Sequence, residues 1–287
     1  MSINFHAYQC RDYLLSDYEE IEKQWRAAFS DYDPDRVMRI LDLVRDDAYL
    51  YVRYFETLYR LRLSDGVLER QIPQDGDRET VFRQDTDSLQ GTDAQRDGIS
   101  GQKAAGHVKK PSSMRPSSSY LNPNGQHGDR LYLQENPVLP EPDNGWSGQL
   151  YFNEAMAVYH LLRYVKDDPS LSGRWIPNDQ LDTRAGGNSR QKDMLLETFS
   201  RDFAGKTELL DAVCRKAGGT CVSTKADLSY QFYPFPQVPI QLLFWDEDED
   251  FPAQTQIMVD QQVTDYVHPD TTGCMAADLM KLLKSLL

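Results

Sequence analysis

Apolar positions near the start recur at helical spacing: Ile21, Trp25, Ala28 and Phe29 fall at i, i+4, i+7 and i+8 behind Ser16 and Glu19, which form an S-x-x-E capping box. The spacing predicts a helix with one buried face. A second helix begins at Asp33-Pro34, an acidic N-cap followed by a proline at N1, and turns Val37, Met38, Ile40, Leu41 and Val44 inward. The period then changes. From Tyr49 to Leu63 aromatic and branched residues crowd together, and Asp65-Gly66 supplies a hairpin signal, which predicts a small antiparallel meander ending near Arg70.

From Gln71 to Gly145 large apolar residues thin out, and Gly, Ser, Pro, Asp and Gln dominate. Such a stretch buries too little apolar surface to offset roughly 1–2 kcal/mol per residue of backbone ordering, so it reads as a disordered, low-complexity insert. The domain expectation follows. Residues 1–70 hold the N-terminal helices and meander, 71–145 the insert, and 146–287 the main part of the same α+β domain.

Periodicity returns over Gly148 to Lys166, where Phe152, Ala155, Met156, Tyr159, Leu162 and Val165 make a wide apolar face. Helices are predicted near Lys192–Phe203 and Lys206–Lys216, the second stopped at Gly218-Gly219. Leu228–Phe232, Val238–Phe244 and Gln254–Asp260 read as three antiparallel strands, the middle one with one apolar and one mixed face. Thr272 is expected to cap a last helix through Met275, Leu279, Leu282, Leu283 and Leu286. Helices and strands come in separate runs, so the fold class is α+β, with small antiparallel sheets packed against helices.

Charge narrows the function classes. The 287-residue chain carries 31 Lys+Arg against 45 Asp+Glu, a net −14, of which −3 lies in the insert and −11 in the rest. Phosphate binding needs concentrated Lys and Arg, so a nucleic-acid role is excluded from the expectation. Apolar runs such as Ala155–Val165 fall short of the ~20 residues a membrane span needs, and Met1–Gln9 shows no leader pattern. Four cysteines without a C-x-x-C spacing make no disulfide framework, which points to a reduced, cytoplasmic protein.

The C-terminal half resembles an uncharacterised bacterial family, domain of unknown function 3786, found chiefly in anaerobes. The resemblance rests on Tyr151-Phe152-Asn153-Glu154-Ala155-Met156 followed by Tyr159-His160-Leu161-Leu162, on Ser172-Gly173-Arg174-Trp175-Ile176-Pro177 and on Phe235-Pro236-Gln237-Val238. Phe244-Trp245-Asp246-Glu247-Asp248-Glu249-Asp250-Phe251-Pro252-Ala253 and Thr271-Thr272-Gly273-Cys274 complete it. It covers Tyr151 to the C-terminus, and more weakly the Trp25 helix and the Tyr49–Glu69 hairpin. It implies no settled activity. Its anaerobic setting implies an accessory role in corrinoid or iron–sulfur metabolism as one alternative, although the cysteine-rich iron–sulfur segment of some longer relatives has no counterpart here.

Candidate chemistry is scattered. Asn153, Ala157, His160 and Tyr164 recur at i, i+4, i+7 and i+11 on one helix, so Asn153, His160 and Tyr164 form a stripe able to hold a small molecule or move protons, or simply to satisfy a helix seam. Trp175 and Trp245 are further ligand-binding candidates, each equally at home plugging a core edge. Asp246, Asp248 and Asp250 alternate in a turn and offer oxygens to a hard cation, with a solvated turn as the plain alternative. Like-charge repulsion among the five adjacent carboxylates predicts that some titrate upward unless a cation or basic side chain sits nearby. Cys274, read as lying in the first turn of the last helix, is a reactive-thiol candidate, or else a buried structural cysteine. Asp260 reads as a turn cap. No zinc, nucleotide-loop or hydrolase-elbow spacing is present. The favoured function is a small-molecule or protein-binding accessory module. The alternative is a divalent-cation-dependent enzyme using the acidic turn with His160 or Cys274, and no cofactor is specified.

Overall fold

The computed structural model describes residues 18–29, 33–72, 145–181 and 189–287. It is α+β, with six α-helices among those residues and two five-stranded antiparallel sheets. Ser16 of the expected capping box lies outside them, and α1 runs over Glu19–Ala27. Asp33 caps α2 (Pro34–Leu41) as its spacing predicts, its carboxylate accepting the Arg36 N–H at 3.1 Å. The helix stops at Asp42, whose left-handed φ of 52° turns the chain out. Val44 therefore leaves the helix and stands exposed in the first strand, a correction to its expected inward place.

The first sheet runs in sequence order through β1 (Val44–Arg45), β2 (Tyr49–Tyr54), β3 (Thr57–Arg62), β4 (Leu68–Gln71) and β5 (Trp146–Ser147). Its β2–β3 hairpin turns on Phe55-Glu56, with Tyr54 opposite Thr57 and Phe55 at φ 46°. A bulky residue in that region costs on the order of 1 kcal/mol. Contacts with the second sheet offset it: the Phe55 N–H donates to Pro234 O at 2.7 Å, and Tyr54 beside it stacks on Phe235 at 4.9 Å. The β3–β4 turn places Gly66 at φ 69°, where a Cβ would come within 3.1 Å of the Arg26 carbonyl of α1. Only glycine fits that approach.

The second sheet has the order β6 (Trp175–Pro177), β10 (Gln254–Asp260), β9 (Val238–Trp245), β8 (Leu228–Phe235) and β7 (Thr220–Cys221). The three expected strands are its middle. The two edge strands are too short to show a period. Every residue of β9 except Trp245 is buried, so its mixed face, which carries Pro239, Gln241 and Leu243, is covered as well. Helix α4 (Ser189–Phe203) packs on β10, and α5 (Thr207–Lys216) packs on β8.

Helix α3 (Phe152–Tyr164) runs between the sheets' shared core and α6 (Pro269–Ser285), which lies along it. α3 starts later than Gly148 because β5 claims Trp146–Ser147 and Tyr151 is still extended at the N-cap. α6 starts earlier than expected: His268 is its N-cap and Pro269 its N1 residue, so Thr272 sits inside the first turn. No helix among the described residues is long and apolar enough to cross a membrane.

Arg70 pairs with Ser147 and Gln71 with Trp146, and the Ile72 N–H donates to Gly145 O at 2.6 Å. The chain thus leaves and re-enters one ladder at adjacent points, with Gln71 and Gly145, the ends of the expected insert, inside that ladder. The rest of it, residues 73–144, lies outside the described residues. Replacing 73–144 by Asn-Gly, the sequence favoured in a two-residue hairpin loop, is expected to leave a single cooperative thermal transition within a few degrees of the parent, read by circular dichroism. A collapse of that transition would contradict the reading of the stretch as an insertion.

Candidate functional site

From Ala155 to Leu162 every residue of α3 is buried, so each polar side chain on that helix needs a partner inside the protein. Glu154 accepts the Tyr151 N–H at 2.6 Å, satisfying the helix start, and the Tyr59 hydroxyl at 2.7 Å. Tyr159 donates to Gly66 O at 2.8 Å. Asn153 and His160 both turn to α6, where Asn153 meets Asp278 and the Cys274 thiol, and His160 Nδ1 lies 2.8 Å from Thr271 Oγ1. The two residues sit seven apart on α3, so the seam has two polar ends separated by roughly 10 Å.

At the inner end Tyr54 of β2 donates to Asp278 at 2.7 Å. Burial, with the Glu154 charge nearby, pushes the Asp278 carboxyl up to about 7 against the opposing pull of its Tyr54 and Asn153 hydrogen bonds. Burial and the neighbouring carboxylates likewise push Tyr54 and Tyr59 upward, so both stay phenols. Lys281 sits 4.0 Å over the Tyr151 ring, and Arg70 lies 3.8 Å from Glu154. This end joins β2, α3 and α6 through one carboxyl.

The outer end is a cluster of rings. His160, Tyr164 and His268 stand in a triangle with centroids 5.1, 5.0 and 5.5 Å apart, and Trp25 meets His160 edge-on at 5.8 Å. Asp265 positions this corner: it accepts Lys166 Nζ and the Ser170 N–H, and its carbonyl accepts the Lys166 N–H, which holds the chain leading to His268 against the end of α3. His160 is only 6% exposed, whereas Tyr164 is 45% exposed and the His268 side chain 38%. Burial, helped by His268, pulls His160 down to about 3, so its ring is neutral at any physiological pH. Among the described residues no protein group bonds either Nε2, since His160 uses Nδ1 for Thr271 and His268 uses Nδ1 for the Asp270 N–H at 3.3 Å.

The remaining candidates do not join this cluster. Trp175 pairs with Asp260 and Trp245 with Gln254 on β10, six residues apart, or roughly 20 Å along a strand. Asp260, 2% exposed, accepts Ser172 N–H and O–H, Gly173 N–H and Gln262 N–H at 2.7 to 2.9 Å, so it folds the loop entering Trp175 as well as capping its own turn. Asp246 accepts Thr207 O–H and Gly205 N–H at the start of α5, and those bonds lower its pKa, opposite to the repulsion expected. Asp248 accepts the Asp250 and Phe251 N–H groups in a turn. The acidic run thereby serves structural hydrogen bonds, and among the described residues no three His, Cys, Asp or Glu side chains gather for a metal.

Cys274 is in the second turn of α6, since the helix begins at Pro269, and it is 2% exposed. Burial and the Asp278 and Asp270 charges raise its thiol well above the usual range. Among the described residues no contact joins the acidic turn to Cys274: Asp246 bonds Gly205 and Thr207 at the start of α5, whereas the Cys274 thiol faces Asn153 of α3. Sequence reasoning missed Asp278, Tyr54, Glu154 and Thr271. Glu154 lies on α3, Thr271 and Asp278 bond it through His160 and Asn153, and Tyr54 reaches it through Asp278. A shallow cleft of about 380 Å³ beside Gly66 includes Lys23 and Arg26, but Arg26 is already paired with Glu22 and Asp65.

Two outcomes follow from these environments. The folded protein holds more protons at Asp278 than the unfolded chain between about pH 4 and 7, so this group's contribution to stability falls as pH rises through that window. His160 acts oppositely, stabilising as pH rises, so the comparison is made between variants. Thermal melts are expected to show Asp278→Asn gaining on the parent from pH 5 to pH 8, and parallel pH profiles would contradict the Asp278 assignment. In a Cys10→Ser background, iodoacetamide is expected to label exposed Cys221 in the native state and to reach Cys214 and Cys274 only on unfolding, read by peptide mass spectrometry. Native labelling of Cys274 would show its burial to be wrong.

Searches of curated proteins and of solved structures returned no match. A family profile described as a domain of unknown function, DUF3786, matches residues 131–281, more than half of the chain. It spans β5 to most of α6, with α3, the second sheet and the whole α3–α6 seam inside it, and it stops short of the Trp25 helix and the β2–β3 hairpin. On that match, the chain belongs to the DUF3786 family.

Proposed function

We propose that this protein is a small-molecule-binding accessory module whose ligand sits on the ring cluster at the outer end of the α3–α6 seam. The observation that carries the reading is a neutral, buried imidazole, His160, which has one ring nitrogen without a partner among the described residues and whose ring stands beside two half-exposed rings, Tyr164 and His268. Aromatic faces supply contact area, and fixed ring nitrogens supply direction, which is the usual composition of a ligand site. The groups at the inner end, Asp278 and Tyr54, are consumed in bonds to one another and position the helices. Three free thiols among the described residues, two of them buried, favour a reducing, cytoplasmic setting.

The cation-dependent enzyme and the corrinoid or iron–sulfur accessory roles receive no separate support from a specific contact. A thermal-shift screen of anaerobically prepared protein against nucleotides, corrinoids, divalent cations and common metabolites tests the binding reading. A ligand at about 100 times its Kd adds roughly 2.7 kcal/mol to the native state, several degrees for a chain of this size. At least one class is expected to give such a shift in the parent and not in a Tyr164→Ala/His268→Ala variant. A shift that survives the double substitution, or no shift with any class, would overturn the proposed site.

A further inference from the structure

The ring cluster has a feature that ligand binding in general does not require. Both histidines have Nδ1 engaged by α6 and leave Nε2 without a partner among the described residues. Metal-ligating histidines donate one ring N–H to an outer partner and turn the other nitrogen to the ion; His160 has such a partner in Thr271, whereas His268 Nδ1 here accepts the Asp270 N–H. Thr271 Oγ1 serves His160, and if the His160 Nδ1–H donates to it, Nε2 presents a lone pair. Asp270 serves His268 twice over, with its N–H at 3.3 Å and its carboxylate oxygen at 3.5 Å from the same Nδ1. A bound ion at Nε2 selects the second contact, a carboxylate–histidine–metal relay, because the proton then moves to Nδ1 and faces the carboxylate.

The ring spacing fits as well. Two imidazoles sharing one tetrahedral ion at ~2.0–2.1 Å from each nitrogen have ring centres about 5 Å apart. The observed His160–His268 separation is 5.5 Å. We infer that His160 and His268 form a two-imidazole site for one borderline transition-metal dication of the zinc, nickel or cobalt class, with the other coordination positions open to a small exogenous ligand. This rests on the ring cluster being the binding site and names what it takes. Nitrogen ligands exclude calcium and magnesium, which require oxygen. Two protein ligands, with no group of three His, Cys, Asp or Glu gathered among the described residues, make a site that holds an ion together with its own ligand.

Isothermal titration of the full chain, stripped with a chelator and free of any polyhistidine tag, is run with zinc, nickel and cobalt chlorides. One equivalent is expected to bind, with visible d–d absorption for cobalt and with quenching of Trp25 fluorescence that a Trp25→Phe variant lacks. His268→Gln, at a half-exposed helix cap and so tolerant of change, is expected to weaken binding at least tenfold, as is His160→Gln in a form shown by circular dichroism to fold. Asp246→Asn/Asp248→Asn is expected to leave binding unchanged. Absence of saturable binding, retention of affinity in His268→Gln, or loss in the acidic-turn variant each overturns the metal site. A metabolite shift that depends on Tyr164 and persists in excess chelator would overturn the metal while leaving the ring cluster as a binding site.

Discussion

The structure depends on a helix that has no water-facing side along most of its length. α3 is buried from Ala155 to Leu162, yet its sequence contains Asn153, Glu154, Tyr159 and His160. Burying a polar group without a partner costs on the order of 1–3 kcal/mol, so each of these four dictates where something else must be. Tyr159 requires the Gly66 carbonyl, and hence the glycine turn pressed on α1. Glu154 requires Tyr59, Asn153 requires the Cys274–Asp278 face of α6, and His160 requires Thr271. The first sheet and the last helix are set against α3 by these demands as much as by apolar packing.

This constraint separates structure from candidate chemistry. At the inner end every polar group is spent on another, so Asp278 and Tyr54 join β2 to α6 across most of the chain and are positioning groups. At the outer end α3 reaches the surface, and the demand is only half met. Thr271 takes one nitrogen of His160, while Tyr164 and His268 stand half in water beside its ring. The proposed site lies there because the helix emerges from its burial at a residue with two faces.

Much of the architecture was legible because it is written in short-range signals. Asp33-Pro34 announces α2, Asp65-Gly66 announces its turn, and the alternation through Val238–Phe244 announces the central strand. The β2–β3 turn was not legible, since Phe55-Glu56 lacks the glycine such turns prefer and is held by Pro234 of a distant strand. The start of α6 was misplaced because histidine is an uncommon cap, and moving that start moves Cys274 out of the first turn. The stripe Asn153–His160–Tyr164 was legible as a stripe, but its partners were not: Thr271 is 111 positions from His160, and Asp278 is 224 from Tyr54. The acidic run drew attention by composition, whereas Asp248 is used in its own turn and Asp246 at Gly205 and Thr207, about 40 positions away. Local pattern reports periodicity and caps, and pairings across such separations are visible only in the fold.

The central claim is that His160 is kept neutral by burial, with Thr271 on one ring nitrogen and the other left available. Ring resonances of histidine followed by NMR from pH 5 to pH 8, with His160→Gln for assignment, test it directly. The account predicts that His160 keeps the shifts of one neutral tautomer throughout that range. Titration of His160 with a midpoint near 6.5 would contradict it, because that behaviour belongs to a ring in water rather than one enclosed by the α3–α6 seam.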